Sequence, residues 1–412
     1  MKYALFLADG MADEPIESLG GKTPLMVAHT PTLDALARRA RFGTFLSLPE
    51  EFPTSSDVAN LSVLGYGLAE AYQGRGPLEA ASQGITLGPG EIALRCNLVT
   101  ASQDGRLLDY SGGQVRNEEA AELILALQKE FGSPDILFHP GVRYRHLLIL
   151  KGERFSPDFD YEKPDDHPGD PYSLLLPTAR GPHSEETVAL LRRIILESLP
   201  LLSAHPVNRS REARGEAPAN MAWPWSPGRK PTMRSFHEMY GKTGAIISAV
   251  DVIKGIGVLS RMEIVPVEGA TGYVDTNYEG KALAGVDALK RHDFVYVHVE
   301  AIDEVSHEGN LELKIQAIQD FDQRLVDTFL REFGRAFGGA DQLACAVLPD
   351  HPVPVALRKH TRTPVPVMFV HPGAKPDRTL GGSGLYYDEF NAGKGSLGLL
   401  RGDGVMRTLF SH

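Results

Sequence analysis

The sequence predicts an α/β protein: a doubly wound sheet interrupted by a smaller α+β domain. Three observations carry that prediction. Short apolar runs alternate with amphipathic helical stretches toward both ends of the chain. Three of the runs stop at acidic or Asp/His clusters: Tyr3–Ala8 at Asp9-Gly10, Phe294–Val299 ahead of Asp303 and His307, and Leu343–Leu348 at Asp350-His351. Between about residues 77 and 180 the texture changes to short strands around one helix, followed by a Pro- and Asp-rich stretch. At 412 residues the chain exceeds one ordinary core. Two domains are therefore expected, 1–76 with 181–412 and an insertion over 77–180.

The elements run in order. After the first strand, Thr30-Pro31 opens a capped helix with Pro in its first turn, and Arg41–Leu48 fits a second strand. Thr54-Ser55-Ser56-Asp57 leads into Val58–Gly65 as a strand-to-helix turn. Gly74-Arg75-Gly76-Pro77 signals a loop and a hinge. In the insertion, Ile92–Val99, Ile136–Phe138 and His146–Leu150 are strands around a Glu118–Lys129 helix. Glu185–Leu199 is a strong amphipathic helix that resumes the first pattern. Ala219–Trp225 is strand-like, Gly244–Leu259 helical, Met262–Val267 a strand, Glu279–Arg291 helical and Leu311–Phe337 one long helix.

Composition narrows the function. A formal charge of -11 argues against nucleic acid or an anionic membrane as partner. Cys96 and Cys345 alone offer no disulfide framework. The first apolar run is too short for a signal peptide, and no stretch reaches the roughly 18 apolar residues of a membrane span. A cytoplasmic protein is expected, as a monomer or small homo-oligomer.

In open α/β sheets, ligands bind beyond the carboxyl ends of the strands. Asp9, Asp303, His307, Asp350, His351 and His360 would thus converge on a metal site built from distant parts of the chain. Asp303 and His307, four apart, share one face of a helical turn. Mixed carboxylate and imidazole donors suit manganese, zinc, iron or cobalt, and six donors suggest two ions. Ser56, at a strand-to-helix turn, is either a helix cap or, beside two cations, a nucleophile toward phosphorus. Gly21-Lys22-Thr23 and Gly241-Lys242-Thr243 lack the glycine that a nucleotide phosphate loop needs five residues earlier. Arg75, Arg116, Arg143 and Arg145, with His146, are candidates to hold an anionic substrate.

Asp9-Gly10, Ser56-Asp-Val-Ala-Asn60, Tyr72-Gln-Gly-Arg-Gly-Pro-Leu-Glu-Ala80, Asp303-x-x-x-His307 and Asp350-His351 with His360 occur in one order. Together they resemble the archaeal-type 2,3-bisphosphoglycerate-independent phosphoglycerate mutases of the alkaline phosphatase superfamily. The resemblance covers essentially the whole chain. It implies an alkaline-phosphatase-like fold with a substrate-covering insertion, and Ser56 as the phosphorylated nucleophile. One divalent ion would sit on Asp9, Ser56, Asp350 and His351, the other on Asp303, His307 and His360. The ion would be manganese, or zinc, cobalt or magnesium. The implied substrate is a small phosphorylated molecule, with phosphate passing from 3-phosphoglycerate to Ser56 and back to the neighbouring hydroxyl. Pro352-Val353-Pro354 and Thr54-Ser55 depart from the family's usual residues without changing a ligand. Asp275–Lys281 and Asp57–Ser62 resemble a bacterial branch proposed as homoserine kinases. A phosphotransferase or phosphatase acting on another small substrate is therefore the alternative.

Overall fold

Tyr3 to Ala8 is an unbroken apolar run, and such a run is stable as a strand only when both of its faces are covered. The computed structural model, which describes residues 1–339, 342–373, 375, 377 and 385–411, places it there. The Lys2–Ala8 strand is buried from Tyr3 onward and lies between Phe294–Val299 and Leu343–Leu348, parallel to both. The three strands predicted to end in metal donors are thus immediate neighbours. Their register brings Ala8 beside Val299 and Leu7 beside Leu348, so Asp9, Glu300 and Asp350 emerge at one sheet edge.

The chain divides into two compact units, Met1–Tyr72 with Met233–His412, and Gln73–Thr232. In the first, eight strands run in the order Glu263–Ile264, Gly244–Ile247, Phe294–Val299, Lys2–Ala8, Leu343–Leu348, Val365–Val370, Arg41–Phe45 and Leu399–Leu400. Val365–Val370 is antiparallel to both of its neighbours, so the sheet is mixed. On one face Phe6, Val297 and Val347 pack under Ile318, Phe329 and Phe333 of the helices crossing that face. Phe6 and Phe329 meet edge-to-face, with centroids 4.8 Å apart.

Two expectations are corrected here. Gly244–Leu259 is not one helix: Gly244–Ile247 is a buried strand, and the helix starts at Asp251. A four-residue apolar run carries too little periodicity to separate strand from helix. Leu311–Phe337 is helical throughout, but Phe321–Val326 widens into a π-helical segment. There Asp322 accepts hydrogen bonds from the Thr32 and Leu33 backbone, at 3.2 and 2.6 Å, and so caps the neighbouring Pro31–Ala37 helix.

The second unit is an antiparallel sheet built on Ile92–Ala101, which pairs with Leu107–Asp109, Arg145–Leu150 and Met221–Gly228. Helices Asn117–Phe131 and Glu185–Ser203 cover one face through Leu123, Leu127, Leu191 and Ile194. This unit ends near Thr232, whereas the sequence pattern places its end at 180. Glu185–Ser203 and Met221–Gly228 bury their apolar faces in this core, and helical periodicity alone does not say which core a helix joins. Gly74-Arg75-Gly76-Pro77 is likewise not a loop throughout, because Arg75–Ser82 is a helix. A Cβ on Gly76 would lie 2.2 Å from the Ala93 carbonyl oxygen, so that helix packs directly on the central strand.

Behind the first unit's sheet edge, Lys314 is fully buried. Its Nζ donates to Asp13 Oδ2 at 2.8 Å and to the Val353 carbonyl at 2.9 Å. Asp13 also accepts the Val355 amide at 3.1 Å. One ion pair thus ties the loop after Asp9 to the loop after His351. Lys314→Met should destabilise the protein by about 3–5 kcal/mol in urea unfolding, because it strands the buried Asp13 carboxylate. An unchanged unfolding midpoint would contradict that role.

Glu389 packs beside this knot, accepting from Thr23 Oγ1 at 2.7 Å and the Asp13 amide at 3.1 Å. Burial pushes its carboxyl up to about 7. A carboxyl whose folded pKa lies above its unfolded value binds more protons when folded, so its contribution to stability falls as pH rises between the two. Raising the pH from about 4.5 to 7 should cost about 3 kcal/mol through this group. Glu389→Gln should flatten that part of the stability–pH curve, and an identical curve for the variant would refute the assignment.

Candidate active site

Each donor is set by the end of a structural element. Asp9 comes directly after the Lys2–Ala8 strand and is fully buried. Gly10 then turns with φ +66°, where a Cβ would come within 2.7 Å of Asp303 Cα. Only glycine allows the two acidic segments to approach this closely. Asp303 lies in the first turn of the Ala301–His307 helix, and His307 lies one turn on, as the spacing predicts. Asp350 is held on one oxygen by the His351 amide at 2.8 Å and the Gly10 amide at 3.3 Å. Ser56 is the first residue of the Ser56–Val63 helix.

These side chains form two adjoining sets. In the first, Ser56 Oγ lies 3.1 Å from His351 Nε2, which is itself 3.4 Å from both Asp9 Oδ1 and Asp350 Oδ2. In the second, the Nε2 atoms of His307 and His360 are 2.9 Å apart, and they lie 3.4 and 3.5 Å from Asp303. The His351 and His360 rings stack with centroids 3.8 Å apart, so the sets share a wall. All seven residues singled out in the sequence therefore gather at one sheet edge.

The donors fit divalent cations. His307 Nδ1 donates to the Arg358 carbonyl at 2.9 Å, and His360 Nδ1 donates to the Thr54 carbonyl at 3.1 Å. Each ring thereby turns Nε2 toward the other and toward Asp303, the arrangement of metal-ligating histidines, and the Asp303 carboxylate raises His307 to about 9 despite its burial. Asp9 Oδ1 and Asp303 Oδ1 are buried without a hydrogen-bond partner. Among the described residues, ligand atoms of Asp303, His351 and His360, and of Asp9, His298 and Asp350, lie within 4.8 Å of one another.

The electrostatics agree. Burial, then the charges of Asp350, Glu300 and Asp303, hold Asp9 well above the usual carboxylate range. Burial likewise lifts Asp350 to about 6 and Glu300 to about 8. Asp303 goes the other way despite its burial, because His307 and His360 hold it well below. So many carboxylates cannot all ionise in one buried pocket unless cations join them.

The sequence did not single out the residues behind the ligands. Asn60, fully buried, donates to the Ser56 carbonyl at 2.7 Å and to Asp350 Oδ2 at 2.9 Å, and it accepts from the Tyr296 hydroxyl. It ties the nucleophile's helix to a ligand. Tyr296, His298 and Glu300 were signalled all the same: they are polar groups at alternate positions along an otherwise apolar strand and its exit.

The second unit's candidates separate into two groups. Arg116 is exposed and engaged with Glu119 at 2.5 Å and Glu216 at 3.7 Å. Arg143 is exposed, and its amide is bound to Asn117. His146 is buried, its Nδ1 accepting from the Gly141 amide at 2.9 Å, and burial lowers it to about 3. Arg75 and Arg145 instead join Arg95, which the sequence did not single out. Arg95 is buried, with Glu79 at 2.7 Å, and Arg75 reaches the same carboxylate at 3.4 Å. The guanidinium groups of Arg95 and Arg145 lie 5.9 and 5.5 Å from the Tyr144 ring centre. Two of the three guanidinium groups, those of Arg75 and Arg95, thus share the Glu79 carboxylate.

Residues 37–208 match the family described as 2,3-bisphosphoglycerate-independent phosphoglycerate mutase. The enzyme of that name from Methanosarcina barkeri is 44% identical over 409 residues, 99% of each chain. The chain belongs to this phosphoglycerate mutase family. The fold extends to a solved cofactor-independent phosphoglycerate mutase from Thermoplasma acidophilum, with TM-score 0.63, 28% identity and 99% of each chain covered. It is closer still to the PH0037 protein from Pyrococcus horikoshii, with TM-score 0.79, 27% identity and 99% and 96% coverage of the two chains. Within this mutase-family site, Gly10→Ala should cost about 2 kcal/mol or more in urea unfolding, from positive-φ strain and the Asp303 clash. An undisturbed variant would show that the close approach is not needed.

Proposed function

We propose that this chain interconverts 3-phosphoglycerate and 2-phosphoglycerate through a phosphoserine at Ser56, without added bisphosphoglycerate. The observation that carries the proposal is Ser56 Oγ, 3.1 Å from His351 Nε2, where the two donor sets adjoin. Family membership supports it, as does the mutase name of the Methanosarcina barkeri relative. The donor chemistry suits two divalent ions, manganese foremost. Bound there, they would acidify the Ser56 hydroxyl and offset charge on the phosphoryl oxygens.

Asp9, Asp350 and His351 would hold one ion beside Ser56, and Asp303, His307 and His360 the other. Ser56 gives up its proton, and Oγ attacks phosphorus. The bond from phosphorus to the substrate hydroxyl oxygen breaks, and that oxygen takes a proton. The retained glycerate then attacks the phosphoserine with its other hydroxyl, which loses its proton: a bond from phosphorus to that oxygen forms, the phosphorus–Oγ bond breaks, and Oγ takes a proton to restore Ser56. The first turn of the Ser56–Val63 helix favours the negative phosphoryl group through its dipole. Arg75 and Arg145 carry the planar guanidinium groups that bind carboxylate and phosphate through paired hydrogen bonds. Keeping water away from the phosphoserine would separate a mutase from a phosphatase.

Purified protein with manganese should turn 3-phosphoglycerate into 2-phosphoglycerate, read by phosphorus NMR. Ser56→Ala should lower the rate by at least about 1,000-fold. Release of free phosphate alone would replace the mutase reading with a phosphatase. Turnover that needs homoserine and ATP would replace it with a homoserine kinase.

A further inference from the structure

Asp9 is fully buried, and its two oxygens have different surroundings. Oδ1 has no hydrogen-bond partner and lies 3.4 Å from His351 Nε2. Oδ2 lies 3.0 Å from Nε2 of His298, a fully buried residue outside the six donors read from the sequence. The other ring nitrogen of His298, Nδ1, is 3.1 Å from Ser248 Oγ. Ser248 Oγ in turn accepts the Val250 amide at 3.0 Å.

This chain has a direction. The Val250 amide can only donate, so the Ser248 hydroxyl proton is free to point at Nδ1. An accepting Nδ1 puts the ring proton on Nε2, where it meets the Asp9 carboxylate. The opposite tautomer would set a bare nitrogen against a carboxylate oxygen. His298 is fixed from a second side as well: Lys281 Nζ, fully buried, donates to its backbone carbonyl at 3.2 Å.

We infer that His298 is a positioning residue that donates to Asp9 Oδ2 and reserves Oδ1 for a cation, with Ser248 fixing the imidazole tautomer. His298 is then not itself a ligand, although it stands within ligand distance of Asp9 and Asp350. Such a partner sharpens a ligand's orientation, and its loss typically costs about 10- to 100-fold in metal affinity. The inference rests on the two-cation reading proposed above.

The test titrates the metal-free full-length chain with Mn2+ by calorimetry and with Co2+ by visible absorption. Wild type should bind two ions. His298→Leu should weaken one of them by about 10- to 100-fold and leave the other nearly unchanged. His298→Gln, whose amide N–H reaches about as far as Nε2–H, should recover most of that loss with an unaltered Co2+ spectrum. Ser248→Ala should weaken the same ion by about threefold or more while barely disturbing the packing. It and the Gln variant carry the test if the Leu variant does not fold. Equal Mn2+ affinity in Ser248→Ala, His298→Gln and His298→Leu would overturn the positioning role. A Gln variant as weak as Leu with a changed Co2+ spectrum would make the imidazole a ligand and overturn it equally. If wild type binds no Mn2+, the two-cation reading fails first; if wild type binds and the variants match it, only this inference fails.

Discussion

Everything at the sheet edge depends on how Asp9, Asp303 and Asp350 tolerate one another. Three parallel neighbours end at the same level, and the residues just beyond each strand bring a buried carboxylate to that edge. Among the described residues, the only basic side chains within ion-pair distance of these three carboxylates are histidines. Two of those histidines, His307 and His360, are hydrogen-bonded through Nδ1 and point Nε2 at Asp303. Carboxylates and imidazoles therefore converge, and of the three carboxylates only Asp303 is held in its charged form by its histidine neighbours. That is the signature of a cradle shaped for cations, and Ser56 sits at its rim.

The rest of the first unit holds that arrangement against its own repulsion. Lys314 and Asp13 bind together the loops that carry Asp9 and His351. Gly10 admits the close approach of Asp303. Asn60 joins the nucleophile's helix to Asp350, and His298 reaches Asp9 from the next strand. Each supporting group is buried and hydrogen-bonded, so the ligands are oriented before any ion arrives. Less energy is then spent on ordering the site when ions bind.

Much of this was legible in the sequence because strand ends punctuate it clearly. An apolar run that stops at Asp or Asp-His gives both the strand and the donor, and the i, i+4 spacing of Asp303 and His307 gives the helical turn. What the sequence left open depends on partners. Glu185–Ser203 shows its apolar face plainly, yet only the pairing of Met221–Gly228 with Ile92–Ala101 shows which core receives it. Arg116 and Arg145 look alike along the chain. One is engaged by Glu119 at the surface, while the other lies against Tyr144 near Arg95. The roles of Asn60 and His298 were not legible, because a buried polar residue reveals what it does only through what it touches.

The most direct test of a preformed two-cation cradle around Ser56 is anomalous diffraction from crystals grown with manganese. Two strong peaks should appear, one among Asp9, Ser56, Asp350 and His351 and one among Asp303, His307 and His360. No peak at this sheet edge, or a single ion bound elsewhere, would contradict it.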